Sequence, residues 1–227
     1  MAYGDERLRT DNAYKLDVYD PDRVTGRYDM PMLKHVDFVP TSLTGFNYAR
    51  SAKSVDCGVH FFLDDYQFER MWTATADNIE VLRKFECVLT PQFSLYTDMP
   101  LATQIWNVYR SRQIGQQMQD AGLTVIPSLC WSDVRSHGFA FDGIPTDSTV
   151  AVSTVGNYRN PEARQLWRDG MAEALRRLRP RKVLVYGHMI DFDFGKCAVY
   201  NFAPRKWGAE TSVKEVMADE RRIEENG

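Results

Sequence analysis

The stretch STVAVSTVGNYRNPEARQLWRDGMAEALRRLRPRKVLVYG (148–187) carries a strand, a helix and a second strand in that order. STVAVSTVG (148–156) is β-branched and apolar, which favours an extended chain. Asn160 then stands where a helix cap is needed, with Pro161 in the first turn, where its missing N–H costs nothing. Ala163, Trp167, Met171, Ala174 and Leu178 recur at helical spacing and mark an inner face, while Arg164, Arg168, Arg176, Arg177 and Arg179 mark the outer one. KVLVYG (182–187) is apolar without alternation, as expected of a strand covered on both faces in a parallel sheet. Two such strands joined by one helix predict a right-handed βαβ unit.

The same texture extends in both directions. VDFVP (36–40), GVHFFLDD (58–65), ECVLTPQFSLY (86–96), LTVIPSLCW (123–131) and AVYNF (198–202) read as further strands. Residues 65–85 have helical spacing broken near Thr73–Thr75, and residues 100–122 read as a long helix between Pro100 and Gly122. Leu101, Ala102, Ile105, Trp106, Val108 and Tyr109 form its apolar stripe. Asp65, Asp98 and Asp133 each end an extended segment at intervals that suit one βα unit, as does the interval from Thr154 to Gly187. The expected fold is α/β, with repeated βα units and a mainly parallel sheet. An incomplete or distorted TIM-like barrel is the first choice, and an open doubly wound sheet the alternative.

A chain of 227 residues fits one such domain at 35–207, flanked by a polar N-terminal extension (1–34) and a charged C-terminal tail (208–227) expected to be a frayed helix or tail. Tyr3, Tyr14, Tyr19 and Tyr28 suggest partial docking of the extension. The 28 basic and 31 acidic side chains leave a net charge of −3, which argues against a nucleic-acid coat. No apolar run reaches the length of a membrane span and the first residues lack a signal-peptide core, so a cytoplasmic protein is expected. Cys57, Cys87, Cys130 and Cys197 include no Cys-x-x-Cys pair and are expected to be four buried thiols.

In a parallel α/β fold, ligand sites lie at the carboxyl ends of the strands. Five segments then converge: Asp64–Asp65–Tyr66, Tyr96–Thr97–Asp98, Trp131–Ser132–Asp133 with Arg135, Thr154 with Gly156 and Asn157, and Gly187–His188 with Asp191. Asp65, Asp98 and Asp133 are the candidate catalytic carboxylates. Arg135, Tyr96, Trp131, Asn157 and His188 are the candidate ligand-binding residues. Such a set could hold a divalent metal ion, bind a cationic or hydroxyl-rich ligand, or transfer protons.

Structural roles compete with each assignment. Asp64 suits a helix cap answered by Gln67, and Asp98 suits the dipole of the helix after Pro100. Asp133 has no obvious helix after it and is the strongest of the three. Arg112 reads as a solvated helix residue, and Gly115 and Gly170 as places where another backbone comes close. Gly187 could bring backbone near a ligand. His60 follows Cys57 at half a zinc-site spacing whose other half is missing. No nucleophile elbow, Walker motif or dinucleotide fingerprint is present.

HFFLDDYQFERMW, TPQFSLYTDMP with the downstream YRSR, GLTVIPSLCW, FDGIP and VLVYG together resemble the domain-of-unknown-function family numbered 4417, over roughly Phe46 to Gly187. That family occurs in bacteria, their mobile elements and phages, and no activity is assigned to it. The resemblance implies a phage or mobile-element origin, and so a bacterial host cytoplasm. Similar proteins carry Gly-Asp-Glu-Arg-Ser where this chain has SDVRS (132–136), so Val134 replaces an acidic residue. Two functions are expected from the whole. One is an intracellular enzyme, or enzyme-derived binder, of a small polar ligand of nucleotide or sugar-phosphate type. The other is a non-catalytic phage protein that binds a host protein.

Overall fold

The computed structural model describes residues 8–203 and, as backbone, residues 211–212 and 214–216. Tyr3 and most of the tail (208–227) lie outside them. Helix α1 (Leu8–Tyr14) and a two-stranded ladder of β1 (Val24–Thr25) and β2 (Met30–Pro31) precede the body. The body runs β3 (Ser42–Gly45), β4 (Gly58–His60), α2 (Arg70–Thr73), α3 (Thr75–Leu82), β5 (Cys87–Leu89), α4 (Leu101–Asp120), β6 (Val125–Ile126), β7 (Ser128–Leu129), β8 (Thr149–Ser153), α5 (Pro161–Leu178), β9 (Lys182–Tyr186) and β10 (Ala198–Phe202). The short strands β11 (Thr211–Ser212) and β12 (Lys214–Val216) follow.

Strands β3 to β6 pair in parallel and in chain order, and so do β7 to β10. β11 adds antiparallel to β3, and β12 antiparallel to β10, completing two five-stranded sheets. Neither sheet reverses its strand order as a doubly wound sheet does at its switch point. The sheets part at Pro127, which has no N–H to give a ladder. Side chains carry the pairing past it: Ser128 N–H donates to Thr90 Oγ1 at 2.8 Å, and Ser128 Oγ to Thr90 O at 2.8 Å. The result is an α/β fold of repeated βα units in two mainly parallel sheets that do not close into a barrel.

Alternation along the strands separates an inner core from two outer ones. Leu43, Cys87, Leu89, Ile126, Ala151, Leu184 and Phe202, drawn from both sheets, pack together on the inside. Their neighbours Val150, Val152, Val183 and Val185 face outward against Trp167, Met171 and Ala174 of α5. Val59 and Val88 face outward against α2, α3 and α4. Both faces of the strands are therefore dry, which is why their sequences show no polar alternation. At about 25 cal/mol per Å² of apolar surface removed from water, these three clusters are the main source of stability.

Several expectations are corrected. VDFVP (36–40) is not a strand. It is an extended segment fastened to the start of β8, with Val36 N–H donating to Ser148 Oγ at 3.0 Å and Phe38 N–H to Thr149 Oγ1 at 3.3 Å, and Val36, Phe38 and Val39 packing under the inner core. The first parallel strand is 42–45, which no feature of the sequence singles out. The described residues of the tail pair as strands instead of extending a helix.

Of the expected apolar stripe of helix α4, only Val108 is buried. The side the helix buries is mostly polar: Gln104, Asn107, Arg110, Arg112, Gln113 and Gln116. Leu101 and Ala102 are exposed, while Ile105, Trp106 and Tyr109 lie beside the N-terminal arm. The arm docks through the edge-to-face pair Tyr14–Trp106 and through Gln116 Nε2, which donates to the carbonyls of Arg23 and Met32. Arg112 is 2% exposed, not solvated. Its Nε donates to Asp142 O at 3.0 Å and its Nη2 to Ala140 O at 2.7 Å, so it ties α4 to the loop before β8. Burial pulls this guanidinium down to about 10. Cys57 and Cys87 are buried thiols, but Cys130 and Cys197 are only half-buried.

Candidate functional site

The loop that leaves β5, residues 90–99, is held from three sides. Asp65 accepts the Ser94 N–H at 3.1 Å and the Ser94 hydroxyl at 2.8 Å. From the polar side of α4, Asn107 Nδ2 donates to Ser94 O at 2.8 Å, and Gln104 Nε2 to Tyr96 O and Met99 O at 3.1 and 3.0 Å. Arg135 Nη2 donates to Thr97 O at 2.7 Å from the neighbouring loop. Buried amides whose hydrogen bonds are satisfied fix a loop more strictly than apolar packing does. That accounts for Gln104 and Asn107 on the inner face of α4.

The loop after β7 is held as firmly. Trp131 Nε1 donates to Leu166 O at 3.0 Å, and the indole lies flush on α5 at Gly170. A Cβ at Gly170 would come within 3.0 Å of three ring atoms, so the close approach there is a side chain, not a backbone. Gly115 is likewise met by the side chains of Thr90 and Leu33. Gly187 (φ +120°) makes room for Thr154, whose hydroxyl donates to His188 O at 2.8 Å, so no ligand is needed to explain it. Ser132 Oγ donates to Gln104 Oε1 at 2.6 Å, linking the two loops.

Between these loops and α5 lies an open cleft of about 500 Å³ at the carboxyl ends of β7 and β8. Leu129, Val152, Ala163 and Leu166 give it an apolar floor and wall. Tyr96, Trp131 and Trp167 contribute rings, and Gln92, Thr97, Asp98, Ser132, Ser153 and Asn157 contribute polar groups. Trp167 is fixed by its Nε1 bond to Ser153 O at 3.0 Å, whereas Tyr96 is 60% exposed. The Gln92 amide bonds only the Cys130 thiol, and its other end, Oε1, is buried without a partner. Burial pushes that thiol up to about 11, so it stays protonated.

The cleft thus gathers Tyr96, Asp98, Trp131 and Asn157 from the expected set, and leaves the others outside its lining. Asp65 is occupied with Ser94. Asp133 is chelated by Arg135, whose Nε lies 3.0 Å from both carboxylate oxygens and whose Nη2 lies 2.7 Å from one. It also accepts the Arg135 N–H at 3.0 Å. The guanidinium holds this carboxyl below the usual carboxylate range. His188 is exposed and meets the Tyr158 ring in a tilted contact, with centroids 5.0 Å apart. Asp98 makes no hydrogen bond or ion pair among the described residues, and the residue at the α4 cap position is Pro100, with no side-chain cap bond. Asp64 likewise makes no cap bond for the short helix that follows it.

Among the described residues no three His, Cys, Asp or Glu side chains converge as metal ligands. His60 is a buried ring between Phe62 and Tyr186, with Nδ1 accepting the Phe62 N–H at 3.2 Å. Burial pulls it down to about 3, so it is neutral. Gln92, Ser153 and Trp167 belong to the cleft without having been expected there. Trp167 falls on the core face of its helix by spacing, and it serves that core as well. No described helix is long and apolar enough to cross a membrane.

A family model described as a domain of unknown function, DUF4417, matches residues 23–203. The chain is 40% identical over 200 residues to a "Gene 1 protein" of Mycobacterium phage L5, covering 86% of this chain and 85% of the relative. It is also 40% identical over 165 residues to a "Gene 1 protein" of Mycobacterium phage D29, covering 71% of this chain and 61% of the relative. No solved structure matches. The chain belongs to the DUF4417 family, and phage proteins are among its relatives.

Proposed function

We propose that this DUF4417 member binds a small polar ligand in the cleft at the carboxyl ends of β7 and β8, as an enzyme or an enzyme-derived binder. The observation that carries this is the cleft itself: about 500 Å³, three aromatic side chains, an apolar floor and a few polar groups on loops fixed by buried hydrogen bonds. Sites for small molecules have this composition and size, and parallel α/β folds place them at this end. Asp98 is the carboxylate left free to meet a ligand. Asp65 and Asp133 act through the loops they hold.

The test is a thermal-shift screen over nucleosides, sugars, their phosphates and divalent metals. A ligand at 100 times its dissociation constant adds about 2.7 kcal/mol, a readily visible shift. The shift is expected to vanish in Ala163→Phe, which fills the cleft from α5. Finding no stabiliser, or a stabiliser indifferent to the filled cleft, removes the proposal.

A second function, binding a host protein without turnover, draws on a different feature. Tyr14, Leu16, Tyr28, Ile105, Trp106 and Tyr109 line a groove of about 490 Å³ between the N-terminal arm and α4. Under this function, an effect of the protein on a host cell is lost in Leu16→Asp with Tyr28→Asp and kept in Ala163→Phe. The cleft function predicts the reverse.

A further inference from the structure

Resting on the cleft reading above, we infer that the ligand is a ring-bearing cation, with an amine, amidine or guanidine-type head, and not a phosphate or other anion. Among the described residues that line the cleft there is no Lys, Arg or His, and the one carboxylate is Asp98, which is exposed and makes no hydrogen bond or ion pair among the described residues. Arg135, on the loop after β7, is committed to Asp133 in a two-oxygen chelate and to Thr97 O. A phosphate would turn next to the amino end of α5, because free N–H groups and the helix dipole gather there. That end is already taken. Asn160 Oδ1 accepts from both Glu162 N–H and Ala163 N–H, at 2.8 and 3.1 Å, and Glu162 adds negative charge in the first turn.

What the cleft offers suits the opposite sign. Tyr96 and Trp131 line the cleft, and aromatic rings attract a cation through their quadrupoles. A planar ring also fits an apolar floor of Leu129 and Val152. The Gln92 amide has one buried polar atom without a protein partner. That atom is Oε1, which accepts a hydrogen bond and so suits a ring-borne N–H.

Benzamidine, benzamide and benzoate share one ring and differ in charge, so titrating each against the Trp131 and Trp167 indole N–H signals by NMR tests the inference. Two unit charges about 4 Å apart in a solvated cleft are worth about 1 kcal/mol, or about fivefold in affinity. Benzamidine is therefore expected to bind about fivefold more tightly than benzamide, with benzoate weakest. Asp98→Asn should bring benzamidine level with benzamide while leaving benzamide unchanged. Asp98 makes no bond that the fold needs, so this variant folds normally. Benzoate binding as tightly as benzamidine, or a benzamidine preference that survives Asp98→Asn, overturns the inference and leaves the cleft proposal standing. Silence from all three probes overturns both.

Discussion

Replacing Gly170 by alanine decides whether the Trp131 wall of the cleft is as tight as it looks. In an exposed helix this change stabilises by up to about 1 kcal/mol, because glycine loses more backbone freedom on folding. Here the added Cβ would lie within 3.0 Å of Nε1, Cε2 and Cδ1 of Trp131. The indole cannot swing away freely. Its Nε1 is bonded to Leu166 O at 3.0 Å, and its ring packs beside Phe141 and Trp167, with centroids at 5.9 and 6.3 Å. Overpacking of this kind costs about 1–3 kcal/mol, and losing the indole hydrogen bond costs about 1 kcal/mol more. The helix gain does not offset that. Gly170→Ala should be less stable by about 1–3 kcal/mol, read as a lower urea midpoint with an unchanged slope. In a Trp131→Leu background the clash is gone, and the same change should be neutral or favourable. The difference between the two backgrounds isolates the contact. A Gly170→Ala protein as stable as the parent, or a cost undiminished once the indole has been removed, would refute the reasoning.

Three further outcomes follow from single contacts. Arg112→Met should cost about 2–4 kcal/mol in urea unfolding, because it strands the carbonyls of Ala140 and Asp142 away from water, and Arg112→Lys should not restore them both. His60 titrates at about 3 when folded and near 6.5 when unfolded, so between those values the unfolded chain binds the extra proton. Its effect is nil above pH 6.5 and grows as pH falls, by about 1.4 kcal/mol per pH unit for one such proton. His60→Gln should therefore flatten the loss of stability between about pH 6 and 4 relative to the parent; parallel curves would rule this out. Asp65→Asn should cost about 1–3 kcal/mol through the Ser94 loop and weaken ring-probe binding in the cleft. Unchanged binding would show that the loop does not need Asp65.

Much of the fold was legible because the strands are dry on both faces. A sequence such as KVLVY at 182–186 has one explanation in an α/β protein, and Asn160–Pro161 marks the start of its crossover helix by capping chemistry alone. The failures have a common physical cause. Apolar residues draw the eye in segment 36–40 and in α4, but both also make hydrogen bonds to partners outside their own segment, which no periodicity reveals. Val36 and Phe38 meet Ser148 and Thr149. Gln104 and Asn107 meet the carbonyls of residues 94–99. Glutamine and asparagine on a helix look like a solvent face to any periodicity argument. Only the loop they hold shows otherwise. Ser42–Gly45 escapes notice because SLTG is too short and too polar to stand out.

The three aspartates show where the sequence stops being informative about the site. Asp133 ranks first on sequence because no helix follows it, and Asp98 ranks lower because a helix does. The structure gives Asp133 a partner two residues away, Arg135, which makes a local chelate that no spacing rule flags. It gives Asp98 no partner among the described residues, and Pro100 at the cap position of α4 leaves the helix without a side-chain cap bond. A carboxylate at a strand end becomes available to a ligand only when nothing nearby in space claims it, and that condition depends on the whole loop. It also sets the sign of the cleft. With Arg135 spent on Asp133 and the α5 amino end on Asn160, the one carboxylate or cation among the described lining residues is Asp98.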